Sequence, residues 1–375
     1  MSNCGTCGNS CSGGSTCSSG SCKCTGSGSF QAQVTYATAE SPASVAVGDF
    51  NNDGILDIVT ANYYNFTVSV LLGTGSGTFL GQTSFDVGNY PQGVAVGDFN
   101  GDHNLDIVTA NFGDNTVSVL FGDGMGNFPT PASTFNVGPD PPSVAVGDFN
   151  NDGKLDIVTT SETSNSLSLL IGDGSGGFQA TTISEGGTSY GVAVGDFNKD
   201  GKLDIVNTNQ YDTTVSVLIG DGSGGFQQTT FPVGSFPQGL AVGDFIGNSN
   251  PDIVTANFGD SSVSVLYGDG MGNFQTPASA FSVGSPSSSS PYGVAVGDFN
   301  NDGRFDIVAA NYRSETVSVL LATASGSFLP AVTYPIGAYS YSVAVGDFNK
   351  DGALDIVAAN FGDSTVSILL GICGN

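Results

Sequence analysis

Short loops rich in acidic and amide side chains carry the clearest chemistry in this sequence. The first reads Asp49-Phe-Asn51-Asn-Asp53-Gly54-Ile-Leu-Asp57, which places oxygen side chains at loop positions 1, 3, 5 and 9. Alternate side chains point into one centre, the glycine allows the sharp bend, and a backbone carbonyl at position 7 can add a ligand. Hard oxygen donors without Cys or His suit Ca²⁺ rather than zinc or copper. The full set recurs as Asp148, Asn150, Asp152, Asp156; as Asp196, Asn198, Asp200, Asp204; as Asp298, Asn300, Asp302, Asp306; and as Asp347, Asn349, Asp351, Asp355. The second loop keeps Asp98, Asn100, Asp102 and Asp106 but has His103 in place of the glycine, which strains the turn without removing a carboxylate. The fifth has Asp244 and Asp252, with Ile246 and Asn248 at the third and fifth positions and Pro251 at its exit, and is expected to be empty. About six ions are therefore expected. The competing reading is that Asp, Asn and Gly only shape tight turns, but ordinary turns need one or two such residues rather than three recurring carboxylates.

Net charge points the same way. Against 34 Asp and Glu stand 7 Lys and Arg, a formal balance of -27, which repels a nucleic-acid backbone and an anionic bilayer alike. Six divalent ions would cancel about 12 of those charges. No apolar run is long enough for a membrane helix, and the stretch after Met1 lacks the basic and apolar regions of a signal peptide, so export would require a signal removed or outside this sequence.

The elements that position these loops are repeated. Val-Gly-Asp-Phe or a near copy recurs with its aspartate at 49, 98, 148, 196, 244, 298 and 347, steps of 48 to 54 residues that suit a four-stranded propeller blade. Within the first period four short strands are expected, at Ser44 to Phe50, Asp57 to Ala61, Thr67 to Leu72 and Phe79 to Val87. The first alternates Val45 and Val47 with Ala46 and Gly48, a near-bare face suited to crowding at a propeller axis. Ile58 and Val59 make the second apolar on both faces, so it needs cover on both sides, which neighbouring blades of a closed ring supply. With 56 glycines, 11% charged residues and no helical periodicity, the fold class is all-β, a seven-bladed β-propeller. The last repeat stops after its third strand, and Ser29 to Tyr36 resembles a fourth. Phe30 to Tyr36 should therefore pair with Val366 to Leu370 and close the ring; the same ends could instead pair between molecules and build a fibre.

Cysteines crowd the start: Cys4, Cys7, Cys11, Cys17, Cys22 and Cys24, with Cys373 alone near the end. A disulfide framework is favoured over a metal cluster, and ring closure would bring Cys24 near Cys373, with pairing among the first six the alternative. Two regions follow: residues 1–28, a Gly/Ser/Cys-rich disulfide module or tail, and residues 29–375, the propeller.

Across residues 29–372 these motifs resemble the FG-GAP or VCBS-type repeats of integrin α-subunit propellers and of calcium-binding secreted proteins. The resemblance implies calcium loops on one face of the ring, ligands on the other, and relatives that are lectins or adhesion modules. The cysteine spacing is similar to small modules of bacterial secreted proteins.

The face opposite the acidic loops should be built by the loops between second and third strands and by the connections between blades. These carry Tyr63, Tyr64, Phe112, Tyr211, Phe258, Tyr312 and Phe361, and Tyr90, Tyr190, Phe236, Tyr292, Tyr339 and Tyr341. Such rings can stack on sugars or fill a partner's pockets, or they can plug gaps between blades. Tyr63, Tyr64, Tyr90, Tyr211, Tyr312 and Arg313 are the candidate ligand residues, with Arg313 read chiefly as a counter-charge to Glu315. Asp114, Asp212, Asp260 and Asp363 could flank a sugar in a glycosidase but read better as turn residues. The expectation is an extracellular, calcium-binding recognition or adhesion module for a protein or glycan, not an enzyme. The alternatives are a subunit of an extracellular fibre and a secreted carbohydrate-active enzyme.

Overall fold

The computed structural model describes residues 26–184, 187–284 and 289–373, with short strand segments between residues 3 and 24; the side chains before residue 27 and that of Cys373 lie outside the described residues. The proposed disulfides therefore fall outside the described residues.

Every blade is a four-stranded antiparallel meander. Blade 1 comprises Pro42–Gly48, Asp57–Asn62, Thr67–Leu71 and Thr83–Asp86. The first strands of blades 2 to 7 are Pro91–Gly97, Val144–Gly147, Ser189–Gly195, Pro237–Gly243, Pro291–Gly297 and Ser340–Gly346. The described residues contain no helix.

The fourth strand of blade 1 is shorter than its sequence pattern: Phe79 makes only an isolated bridge to Gly73. Gly81 follows Phe79, and prolines follow the corresponding phenylalanines in blades 2, 5 and 6, at Pro129, Pro277 and Pro330. Proline has no N–H to give to the ladder, and glycine weakens it. The strand runs unbroken as Phe178–Ser184 and Phe226–Pro232, where the next apolar anchors, Ile183 and Phe231, follow the phenylalanine more closely than Tyr36 follows Phe30 in blade 7, whose strand breaks after Phe30 without proline or glycine.

Second strands are buried along their whole length, as their two apolar faces require. Ile58 faces blade 7 beside Val357 and Val366, while Val59 faces blade 2 beside Ile107 and Leu120. An apolar cluster of this kind fills each of the seven junctions between blades. The bare face of the first strand has a local cause as well: Leu105 Cδ1 of the next blade lies 2.6 Å from where a β-carbon on Gly48 would stand, so the glycine admits a neighbour's side chain.

Closure is intramolecular. Val34–Ala37 pairs with Thr365–Leu369 as the outer strand of blade 7, with Tyr36 opposite Val366 and Val34 opposite Ile368. The chain start then runs on beside its end, Phe30 opposite Gly371 and Ser29 opposite Ile372.

Candidate functional site: acidic loops on one face, an aromatic cup on the other

Each acidic loop joins the first two strands of its blade, and its own carboxylates fold it. In the first, Asp49 accepts hydrogen bonds from the N–H groups of Asp53 (3.1 Å) and Gly54 (2.7 Å), and Asp53 accepts from Ile55 N–H (2.8 Å). Asn51 reaches Asp53 Oδ2 through its amide nitrogen at 3.0 Å, so these heads are adjacent and exposed. Asp57 is fully buried, accepting from Phe50 N–H (2.9 Å) and from Gly73 N–H (2.7 Å) at the exit of the third strand. Burial drives its pKa up to about 6 against those amides, and Asp53 and Asp49 add to the rise. The corresponding Asp306 and Asp355 rise to about 7, again mainly by burial.

Oxygen donors without nitrogen or sulfur fit a hard cation, and the charges of Asp53 and Asp49 add to the burial-driven rise at Asp57. In three other loops a base stands by the fifth-position aspartate, Lys154 by Asp152, Lys202 by Asp200 and Arg304 by Asp302. As the side chains stand, no three acidic, histidine or cysteine groups among the described residues are drawn into a coordination cluster. The ninth-position aspartate has a second task that the sequence did not reveal. In the fifth loop, Asp252 accepts from Phe245 and Gly268 N–H as Asp57 does from Phe50 and Gly73, although Ile246 and Asn248 stand in place of ligands. This aspartate therefore staples the turn to the third strand irrespective of any cation.

His103 has φ 68° at the position where Gly54 has φ 75°, the left-handed region that costs a residue with a β-carbon on the order of 1 kcal/mol. His103→Gly is expected to stabilise the protein by about that amount, read as a higher denaturation midpoint at unchanged slope; an unchanged or lower midpoint would show that the contact of His103 with Asp98, 3.7 Å away, matters more.

On the opposite face, six of the seven second strands end in a buried asparagine. Asn62 donates to Thr67 Oγ1 (3.1 Å) and Ser69 Oγ (2.9 Å), and the next residue, Tyr63, is thereby held at the loop's start. The residues following the strand in this way are Tyr63, Phe112, Glu162, Gln210, Phe258, Tyr312 and Phe361. Connections between blades add Tyr90 and Tyr339 at φ 53° and 54°, strained non-glycine conformations that turn exposed rings onto this face.

The rings form a continuous crescent. Tyr90 contacts Tyr63 with centroids 5.0 Å apart; Tyr63 contacts Phe361 at 6.0 Å, Phe361 contacts Tyr341 at 4.7 Å, Tyr341 contacts Tyr292 at 4.3 Å, and Tyr312 contacts Tyr341 at 5.3 Å. The crescent walls a cup of about 410 Å³ over the ring axis, closed on its other side by Phe112, Gln92 and Glu162. The floor is Tyr190, whose hydroxyl bonds to that of Tyr292 and accepts from the Gln92 amide. Burial raises the Tyr190 pKa well beyond the usual phenol range, so the floor stays neutral.

Of the sequence candidates, the fold gathers Tyr63, Tyr64, Tyr90 and Tyr312 in this crescent. Tyr211 stands apart, paired with Phe236 at 6.1 Å. Arg313 makes no ion pair with Glu315 among the described residues; its guanidinium lies over the Phe258 ring, 5.3 Å from the centroid. The aromatic neighbour offers a flat face, whereas Glu315, at φ 54°, sits in the following turn. Asp114 and Asp363 are spent as turn caps, accepting from Asn89 N–H and Ala338 N–H, each at 2.6 Å. Sequence reasoning missed Glu162. Aligning the repeats on the strand-ending asparagine would have exposed it as the acid where most blades carry a ring.

The chain belongs to the FG-GAP-like repeat family, whose model matches residues 23–60, 49–109, 98–159, 148–207, 244–309 and 298–358. No curated protein matches it in sequence. Among solved structures it is similar to BBS1N in complex with ARL6DN, at 12% identity and TM-score 0.64, covering 91% of this chain and 96% of that one. It is also similar to an Agrocybe aegerita lectin described as recognising non-reducing terminal N-acetylglucosamine, at 20% identity, TM-score 0.56 and 86% coverage of both chains. A third similar structure is a putative 6-phosphogluconolactonase from Bacteroides fragilis, at 14% identity and TM-score 0.63, covering 91% of this chain and 94% of that one. These likenesses establish the propeller fold.

Proposed function

We propose that the protein is an extracellular recognition module: calcium in six acidic loops rigidifies one face of the ring, and the aromatic cup on the other face takes the ligand, a protein or a glycan. The cup carries this reading. Half-buried rings opening on one face with Tyr64 exposed among them, flanked by the exposed Tyr90 and Tyr339 on strained backbone, are what a binding surface needs and what packing alone does not. Asp49, Asn51 and Asp53 and their counterparts would hold calcium from the solvent side, with Asp57 beneath. The cation would supply countercharge that fixes the loop. Propellers of the same architecture whose descriptions name a protein partner or a terminal sugar support a binding role. Binding is favoured over catalysis because glycosidic chemistry needs two carboxylates across a site, and only Glu162 lines the cup.

Screening the calcium-loaded protein on glycan and extracellular-protein arrays tests the reading. Tyr63→Ala with Tyr312→Ala should weaken any authentic ligand by about 100-fold, roughly 1–1.5 kcal/mol for each ring, while leaving the melting temperature within a few degrees. Ligands that bind the double variant as tightly as the parent would place recognition elsewhere.

A further inference from the structure

The ligand's chemistry follows from what the cup leaves unsatisfied, an inference that rests on the cup being the recognition site. The polar groups of its floor are spent on each other: Gln92 donates to Tyr190, and Tyr190 is bonded to Tyr292. A sugar would find few free partners on that floor. Glu162 is different. Its carboxylate has no hydrogen bond or ion pair among the described residues, and no basic side chain lines the cup. Only its backbone N–H is engaged, to the carbonyl of Asp140. Burial, and then the charge of Asp140, raise its pKa, which marks a carboxylate without its counter-ion.

We propose that the cup binds the alkylated ammonium head of a small organic cation, its charge facing Glu162 and its methyl groups against Tyr63, Tyr341 and Phe361. A bare metal ion needs several oxygens to replace its water, and one carboxylate does not supply them. An alkylated ammonium is weakly hydrated, and aromatic faces attract it through their quadrupoles. The crescent already shows this affinity: Phe258, which contacts Tyr312 at 6.0 Å, carries the Arg313 guanidinium on its face. A volume of about 410 Å³ accommodates such a head with room for its substituent to leave toward solvent.

Titration of the calcium-loaded full chain with choline and with its neutral isostere 3,3-dimethyl-1-butanol, followed by tyrosine fluorescence and calorimetry, tests the assignment. Choline should bind at least about tenfold tighter than the isostere, and Glu162→Gln should erase that difference without moving the melting temperature. Equal binding of the two probes, or a Glu162→Gln variant that keeps full preference for choline, would overturn it. So would the absence of choline binding in a protein whose array ligand still depends on Tyr63 and Tyr312; that result leaves the recognition face standing and rejects only the cation. Failure of the array ligand to depend on those rings, by contrast, would remove the cup reading itself.

Discussion

Removing calcium with excess chelator is expected to lower the melting temperature by tens of degrees. A ligand that binds only the folded state stabilises it by RT ln(1 + [L]/Kd), about 2.7 kcal/mol for each site at a free concentration 100 times Kd. Six independent sites at that ratio sum to about 16 kcal/mol, comparable with the whole stability of an ordinary domain. The apo ring would then hold its acidic loops against mutual repulsion; at Asp57, pushed up to about 6 mainly by burial, the charges of Asp53 and Asp49 add to the rise. Elemental analysis should find about six calcium ions per chain. Asp152→Ala should remove one, and Ile246→Asn with Asn248→Asp in the fifth loop should add one. An unchanged melting curve with no retained calcium would reduce the loops to hydrogen-bonded turns, a role that Asp252 shows they can fill.

Deleting the chain through Ala37 should have the next largest effect. The closing strand brings Phe30 into the cluster between blades 6 and 7, and it brings Tyr36 against the cluster between blades 7 and 1, where it meets Phe79 at 5.4 Å. Losing two aromatic anchors at about 1.5–3 kcal/mol each, together with the ladder to Thr365–Leu369, amounts to roughly 5 kcal/mol. The uncovered edge of the third strand would also invite pairing with another molecule. The expected result is a fall in melting temperature of about 10 °C with growth in particle size, both reversed by adding a peptide of residues 27–38 in excess. A truncated protein that stays monomeric and melts as before would mean that the ring does not depend on its closing strand.

Both expectations were legible in the sequence because the information is local and repeated. A period of about fifty residues, second strands apolar on both faces and complementary chain ends leave few solutions besides a closed ring. Strand limits were less legible: the fourth strands lose their first halves where Pro129, Pro277 or Pro330 follows the phenylalanine, and they keep them at Gln179 and Gln227. The anchors are of the same type in both cases but not at the same spacing: Phe135 lies further beyond Phe128 than Ile183 lies beyond Phe178, and the added residues and the prolines together break the ladder.

The amino-acid sequence by itself determined the fold class, the number of blades, the complementarity of the chain ends and the positions of the acidic loops. Each depends on spacing within one repeat, or on one repeat compared with the next; that the ends meet within one molecule came from the structure. Only the tertiary structure decided what those side chains do. Asp57 meets the amide of Gly73, 16 residues on, because the first turn and the third strand's exit share one face of the blade. Arg313 leaves Glu315, its neighbour in sequence, for the Phe258 ring of the adjacent blade. Tyr63, Glu162, Tyr292 and Tyr341 come from four different blades and share a cup only because the ring brings the same end of each blade to the axis. Closure converts a position that recurs every fifty residues into a single site, and a substitution in one blade, glutamate for an aromatic ring, then becomes its one unpaired charge.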